Sequence, residues 1–191
     1  MKKLFFIIIL STNCYFASNT IVLSGILSVD VIESKEEYKK AYFAGGCFWC
    51  MEESYDKVKG VIKSISGYSG GHLKNPTYKE VIYKDTGHVE TITVFYDPKI
   101  TSYEELLKVF WENIDPFDAN GQFCDKGKSY RSVAFYENLK QKKLIQNSIL
   151  NIEKKFNKKK VVTLVWKFEK FYPAENYHQD YYQNNFLKYL S

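Results

Sequence analysis

Residues 39–50 limit the fold more than any other part of the chain. Residues 39–44 (Lys-Lys-Ala-Tyr-Phe-Ala) read as a short strand, Gly45-Gly46 breaks it, and from Cys47-Phe48-Trp49-Cys50 onward the pattern reads as a helix to about residue 58. The glycine pair permits the sharp reversal that this passage needs. A helix that starts there lies back on its own sheet, so the chain is expected to build layers of helices on strands. Cys47 falls at the start of that helix, where unpaired N–H groups and a partial positive charge favour a thiolate. The thiolate is the nucleophilic form of cysteine, so Cys47 is the candidate nucleophile. A buried structural cysteine is the plainer alternative.

Cys47 and Cys50 form a Cys-x-x-Cys pair. Mid-helix side chains three apart have Cβ atoms about 5–6 Å apart, and a disulfide wants about 3.5–4.5 Å. The pair can close only if Cys47 sits at the cap or first turn. Zinc is a weak reading, because there is no second Cys-x-x-Cys and only His72, His88 and His178 could add ligands. A thioredoxin-like disulfide exchanger is the stronger rival.

Residues 1–28 differ from the rest. Lys2-Lys3 followed by the apolar run 4–10, with no acidic residue before Asp30, reads as a secretory signal peptide. The expected location is therefore exported, in a periplasm-like compartment. An uncleaved leader anchoring the chain to the membrane is the alternative, although polar residues interrupt the run. Residues 29–38 read as a linker and 39–191 as one catalytic domain. Losing the leader removes Cys14 and leaves Cys47, Cys50 and Cys124, an odd count that flags a reactive thiol. Net charge is +5, of which Lys2 and Lys3 supply two, too little to point to nucleic acid.

Downstream, residues 61–68 read as a strand, 69–76 as a Gly-rich loop and 77–83 as a short helix. Residues 88–96 are the clearest strand. Ser102 and Glu105 suggest a capping box for a helix over 103–113. A long loop, 115–130, precedes a strand (131–136), a helix (137–156), a strand (161–168) and a helix from about residue 176. This order suggests an α/β or α+β two-layer domain. In strand 88–96, Glu90 shares a face with Ile92, Val94 and Tyr96. If that face is inside, desolvation keeps the carboxyl protonated and able to donate. If it is outside, Val89, Thr91, Thr93 and Phe95 face the core instead.

Several segments in order resemble the A-type peptide methionine-sulfoxide reductases. They are Gly45-Gly46-Cys47-Phe48-Trp49, Gly67-Tyr68-Ser69-Gly70-Gly71, Asn75-Pro76-Thr77-Tyr78, Gly87-His88-Val89-Glu90, Asp115-Pro116, Asp125 with Tyr130-Arg131-Ser132, and His178-Gln179-Asp180-Tyr181. The resemblance covers roughly residues 40–182. It implies a two-layer sandwich with a mixed sheet and a ferredoxin-like βαβ core. It implies reduction of the S epimer of methionine sulfoxide, free or in proteins, by a monomer with no metal or organic cofactor.

The resemblance also implies roles. Cys47 attacks the sulfoxide and becomes a sulfenic acid. Phe48 and Trp49 hold the substrate's S-methyl group; in a chain with 16 Tyr and 14 Phe, core packing would otherwise be their default. Glu90 is the acid, Tyr78 and Tyr130 hydrogen-bond the sulfoxide oxygen, and Asp125 supports the pocket through hydrogen bonds. Thioredoxin, or an exported relative, reduces the resulting disulfide. Many relatives carry recycling cysteines in a C-terminal tail, whereas no cysteine follows Cys124 here. Cys50 is the favoured resolving thiol, and Cys124, beside Asp125, is its competitor.

Overall fold

The computed structural model describes residues 38–185; the expected leader, and all of the expected linker but residue 38, lie outside them. In chain order the elements are β1 (Lys39–Ala44), α1 (Phe48–Asp56), β2 (Val61–Ser69), α2 (Tyr78–Tyr83), β3 (Val89–Tyr96), α3 (Tyr103–Glu112), β4 (Gly121–Gln122) and β5 (Asp125–Lys126). A 3₁₀ turn (Lys128–Tyr130), β6 (Val133–Tyr136), α4 (Leu139–Lys155), β7 (Leu164–Lys167) and β8 (Phe171–Pro173) follow. A second 3₁₀ turn (Asn176–His178) and α5 (Tyr181–Asn184) come last.

The main sheet has the order β7-β6-β1-β3-β2-β8. Its centre, β6-β1-β3-β2, is antiparallel throughout. This is the split βαβ arrangement of the ferredoxin-like fold. β7 joins β6 in parallel and makes the sheet mixed, while β8 caps the other edge through Tyr68↔Tyr172. The fold class expected from the sequence is what the chain adopts.

Alternation along the strands sorts side chains to two faces. Ala41, Phe43, Ile92 and Val94 pack against Phe48, Met51 and Tyr55 of α1 and Leu106, Leu107 and Phe110 of α3. The Phe43 ring lies 5.4 Å from Tyr55 and 5.2 Å from Phe110. Each such fully buried side chain stabilises the fold by roughly 1.5–3 kcal/mol. On the far face, Tyr42, Ala44, Val89, Val133 and Phe135 are covered by Trp166, Phe168 and Phe171 rather than by helices. β3 is therefore buried along its whole length on both faces. Both readings of its alternation describe an interior face, and Glu90 points to the helix side with Ile92 and Val94.

Some local expectations need correction. Ser102 does accept from the Glu105 N–H at 3.2 Å. The reciprocal capping box, however, is at Thr77 and Glu80, where both halves are present. The 115–130 loop contains the β4–β5 hairpin and a 3₁₀ turn. The C-terminal helix is interrupted because Asp180 takes a left-handed backbone, φ 51. β8 has three residues, too few for a period to show. Beyond it, Gln179 continues the edge of β2 with its side chain, accepting from the Ser66 N–H at 3.0 Å and donating to the Ser66 carbonyl at 2.9 Å. No helix among the described residues is long and apolar enough to cross a membrane.

Candidate active site

Cys47 is the N-cap of α1, with φ −59 and ψ 119. Gly46 before it has φ +86, and a Cβ there would stand 2.6 Å from the Gln122 Cβ. That approach seats the β4–β5 hairpin beside the cysteine. Gln122 is buried and fixes the hairpin's root, accepting from the Asp115 N–H at 2.6 Å and donating to the Asp115 carbonyl at 3.0 Å. Glycine is required at position 46 by backbone and space together.

β3 delivers Glu90 to the same spot. Its carboxyl is 2% exposed and its Oε2 accepts from the Phe48 N–H at 3.0 Å. Burial pushes its pKa up to about 8; the Phe48 bond works against that shift, and the negative charge of Asp125 adds to it. Glu90 is thus neutral at pH 7 and carries a transferable proton beside Cys47.

This arrangement overturns one expectation. The first N–H of α1 serves Glu90, and Cys47 has no side-chain cap bond. The side-chain hydrogen bond to Cys50 raises the Cys47 pKa, as do burial and the nearby Cys50 and Glu90, and together they outweigh the Cys50 amide, which lowers it. At rest Cys47 is held as a thiol, not as a helix-stabilised thiolate.

The other residues expected at the site fall into three groups. The Tyr78 and Tyr130 hydroxyls are hydrogen-bonded to each other, and burial, followed by the Glu90 charge once that carboxyl ionises, raises both phenols. They face the carboxyl as a pair. Phe48 is buried, with its ring 6.3 Å from Tyr78, while the half-buried Trp49 stacks on Tyr181 at 3.7 Å and 9°. Asp125, in β5, faces Glu90 and Tyr130 by charge alone. Its carboxyl has no hydrogen-bond partner among the described residues, so the expected support through hydrogen bonds is not made.

None of the three described cysteines is in a disulfide, and Cys50 and Cys124 are exposed. Cys50 is in the first turn of α1, hydrogen-bonded to Cys47. Cys124 sits in the turn between β4 and β5, next to the exposed Phe123. No group of three metal-binding side chains converges among the described residues. His88 is structural, accepting from the Gly71 N–H at 3.2 Å through Nδ1, with Nε2 2.8 Å from the Leu73 carbonyl. This pins the loop that leads to Tyr78.

Two contributors were given no role at the site by the sequence. Glu175 accepts from the Tyr78 N–H and from the Tyr68 hydroxyl, each at 2.9 Å, and so holds Tyr78 from 97 residues away. Burial raises its pKa, but these bonds outweigh that and lower it. His178, considered from the sequence as a zinc ligand and as part of a matching segment, lines the pocket instead. Its buried ring lies 5.1 Å from Phe48, 4.4 Å from Tyr78 and 5.6 Å from Trp49. Burial lowers its pKa, so it is a neutral wall of the pocket.

Known proteins resemble the chain over most of its length. The family model described as peptide methionine sulfoxide reductase matches residues 39–191. Peptide methionine sulfoxide reductase MsrA of Listeria monocytogenes serotype 4b (strain CLIP80459) is 52% identical over 152 residues, covering 78% of this chain and 85% of the relative. The reduced form of Mxr1 from Saccharomyces cerevisiae has a TM-score of 0.73 at 31% identity, over 78% of this chain and 86% of that one. A structure of Mxr1 in complex with Trx2 has the same fold, with a TM-score of 0.52 at 22% identity, over 76% and 85% of the two chains.

Proposed function

The chain belongs to the peptide methionine sulfoxide reductase family, and from that premise we propose that it reduces the S epimer of methionine sulfoxide, free or in proteins, with Cys47 as nucleophile and Glu90 as acid. The observation that carries this reading is the neutral Glu90 carboxyl, bonded to the Phe48 amide one residue beyond Cys47. A sulfoxide sulfur is a poor electrophile until its oxygen takes a proton. Glu90 gives that proton, and the Tyr78–Tyr130 pair hydrogen-bonds the oxygen as charge develops on it. Phe48 and Trp49 hold the methyl group.

As Cys47 attacks the sulfur, its own proton passes to Glu90, so the carboxyl is neutral again. The oxygen ends on Cys47 as a sulfenic acid and methionine leaves; two electrons have moved from the cysteine to the substrate. The Cys50 thiol then attacks the sulfenic sulfur, a disulfide forms and water leaves. The hydrogen bond between the two cysteines at rest favours Cys50 over Cys124 as resolving thiol. An N-cap position leaves the Cys47 backbone free enough for closure.

A dithiol returns the disulfide to two thiols. Thioredoxin, or an exported relative, suits this step, and the yeast complex of Mxr1 with Trx2 supports it. The basic and apolar pattern of residues 1–28 supports export to a periplasm-like compartment, with the enzyme acting as a monomer in repair of oxidised proteins.

The test is dithiothreitol-driven turnover of separated sulfoxide epimers. The S epimer is consumed and the R epimer is not, and Cys47→Ser abolishes the reaction. Full activity in that variant would remove Cys47 from the mechanism.

A further inference from the structure

α1 carries a third ionisable group that the reaction above does not use. Glu52, five positions after Cys47, is fully buried, and neither of its carboxyl oxygens has a hydrogen-bond partner. It faces Ser66 of β2, Asp56 one turn further along α1, and Asp180 and Tyr182 of the C-terminal element. None of these groups is a cation. The Asp180 amide and the Ser66 hydroxyl lie close to the carboxyl without meeting hydrogen-bond geometry. Asp56 is already committed, accepting from the Ser64 N–H at 3.1 Å, the Ser64 hydroxyl at 2.7 Å and the Tyr182 hydroxyl at 3.1 Å.

Three carboxyl groups gathered without a counter-charge cannot all ionise cheaply. Burial pushes Glu52 up to about 8, and Asp180 and Asp56 add to that rise. The C-terminal element that rests on this cluster also builds the pocket. It supplies Glu175 to Tyr78, the His178 ring to Phe48, and the Tyr181 ring to Trp49.

We propose that Glu52 is a positioning residue for the substrate pocket, its uncharged carboxyl seating residues 175–182 against α1 so that Trp49 and Tyr78 keep their places. When Glu52 ionises, repulsion from Asp56 and Asp180 lifts that seat and the pocket wall loosens. The effect falls on substrate affinity rather than on proton transfer. The role in catalysis rests on the reading given above; the seat itself does not.

The test compares the wild type with Glu52→Gln, which keeps the shape and cannot ionise. KM and kcat for N-acetyl-methionine-(S)-sulfoxide amide are measured between pH 6.5 and 9.5. The wild-type KM is expected to rise about tenfold over the unit above its midpoint, while the variant's KM stays level. Glu90 is present in both proteins, so its effect on kcat is common to both. Hydrogen exchange of residues 176–185 is followed over the same range in the wild type alone. Beyond the intrinsic base-catalysed increase, it should accelerate more than the exchange of β3 does. Superimposable KM profiles overturn the proposal, and so does unaltered relative protection of 176–185. If neither protein reduces the sulfoxide, the proposed activity fails, and the exchange profile still decides on the seat.

Discussion

Replacing Glu90 by Gln should slow the chemistry and stabilise the protein together. The carboxyl is 2% exposed and its pKa stands at about 8, against an ordinary value of 4.5. A folded-state pKa above the unfolded one means that its contribution is fully present below pH 4.5 and is lost as pH rises towards 8. At pH 7, the folded chain holds a proton that the unfolded chain has released, at a cost of about 3 kcal/mol. Gln has no proton to hold, and its side-chain oxygen can still accept from the Phe48 N–H. The variant's advantage in urea unfolding should therefore grow by about 2–4 kcal/mol between pH 5 and pH 8. The rate should move the opposite way. A positioned general acid contributes about 10²–10⁴-fold, so methionine formation in a single turnover, without added dithiol, should slow by that order. A single-turnover rate within about threefold of wild type would refute the acid role. A stability difference that stays flat between pH 5 and 8 would refute the electrostatic reasoning beneath it.

Cys50→Ser should form one methionine per chain and then stall, with the Cys47 sulfenic acid trapped by dimedone, while Cys124→Ser keeps turning over with thioredoxin; peptide mapping after one turnover checks the pairing, and a stalled Cys124→Ser would reverse the assignment. Gly46→Ala must place a Cβ 2.6 Å from Gln122 at φ +86, so thermal unfolding should show a loss of about 2 kcal/mol or more, with activity falling as the hairpin shifts. An unchanged melting temperature would show that the hairpin is not seated as described.

The sequence made the strand–Gly-Gly–Cys–helix passage legible because turn chemistry and period are local. The same holds for β3, whose β-branched and aromatic run is unmistakable. It left the facing of Glu90 open because the far side of β3 is covered by Trp166, Phe168 and Phe171 from a distant part of the chain. Burial on both faces erases the polar alternation that would have decided it. β8 and Gln179 attach to the edge of β2 in pieces too short to carry a pattern. The protonation of Cys47 was not legible for a related reason. A helix end offers a limited set of N–H groups, and which acceptor takes them depends on what the neighbouring strand brings. Here that strand brings Glu90.

The Phe48 amide has one consequence outside the catalytic cycle. It serves Glu90 and not the sulfur, while the Cys50 side chain and burial keep the proton on Cys47 in the absence of substrate. Hydrogen peroxide and alkylating agents attack thiolates, and a protonated sulfur in a half-buried position is a slow target for both. The Cys47 sulfur is therefore kept inert between encounters. In the proposed cycle reactivity arrives with the sulfoxide itself, whose oxygen draws the proton from Glu90 and opens a place for the one on Cys47.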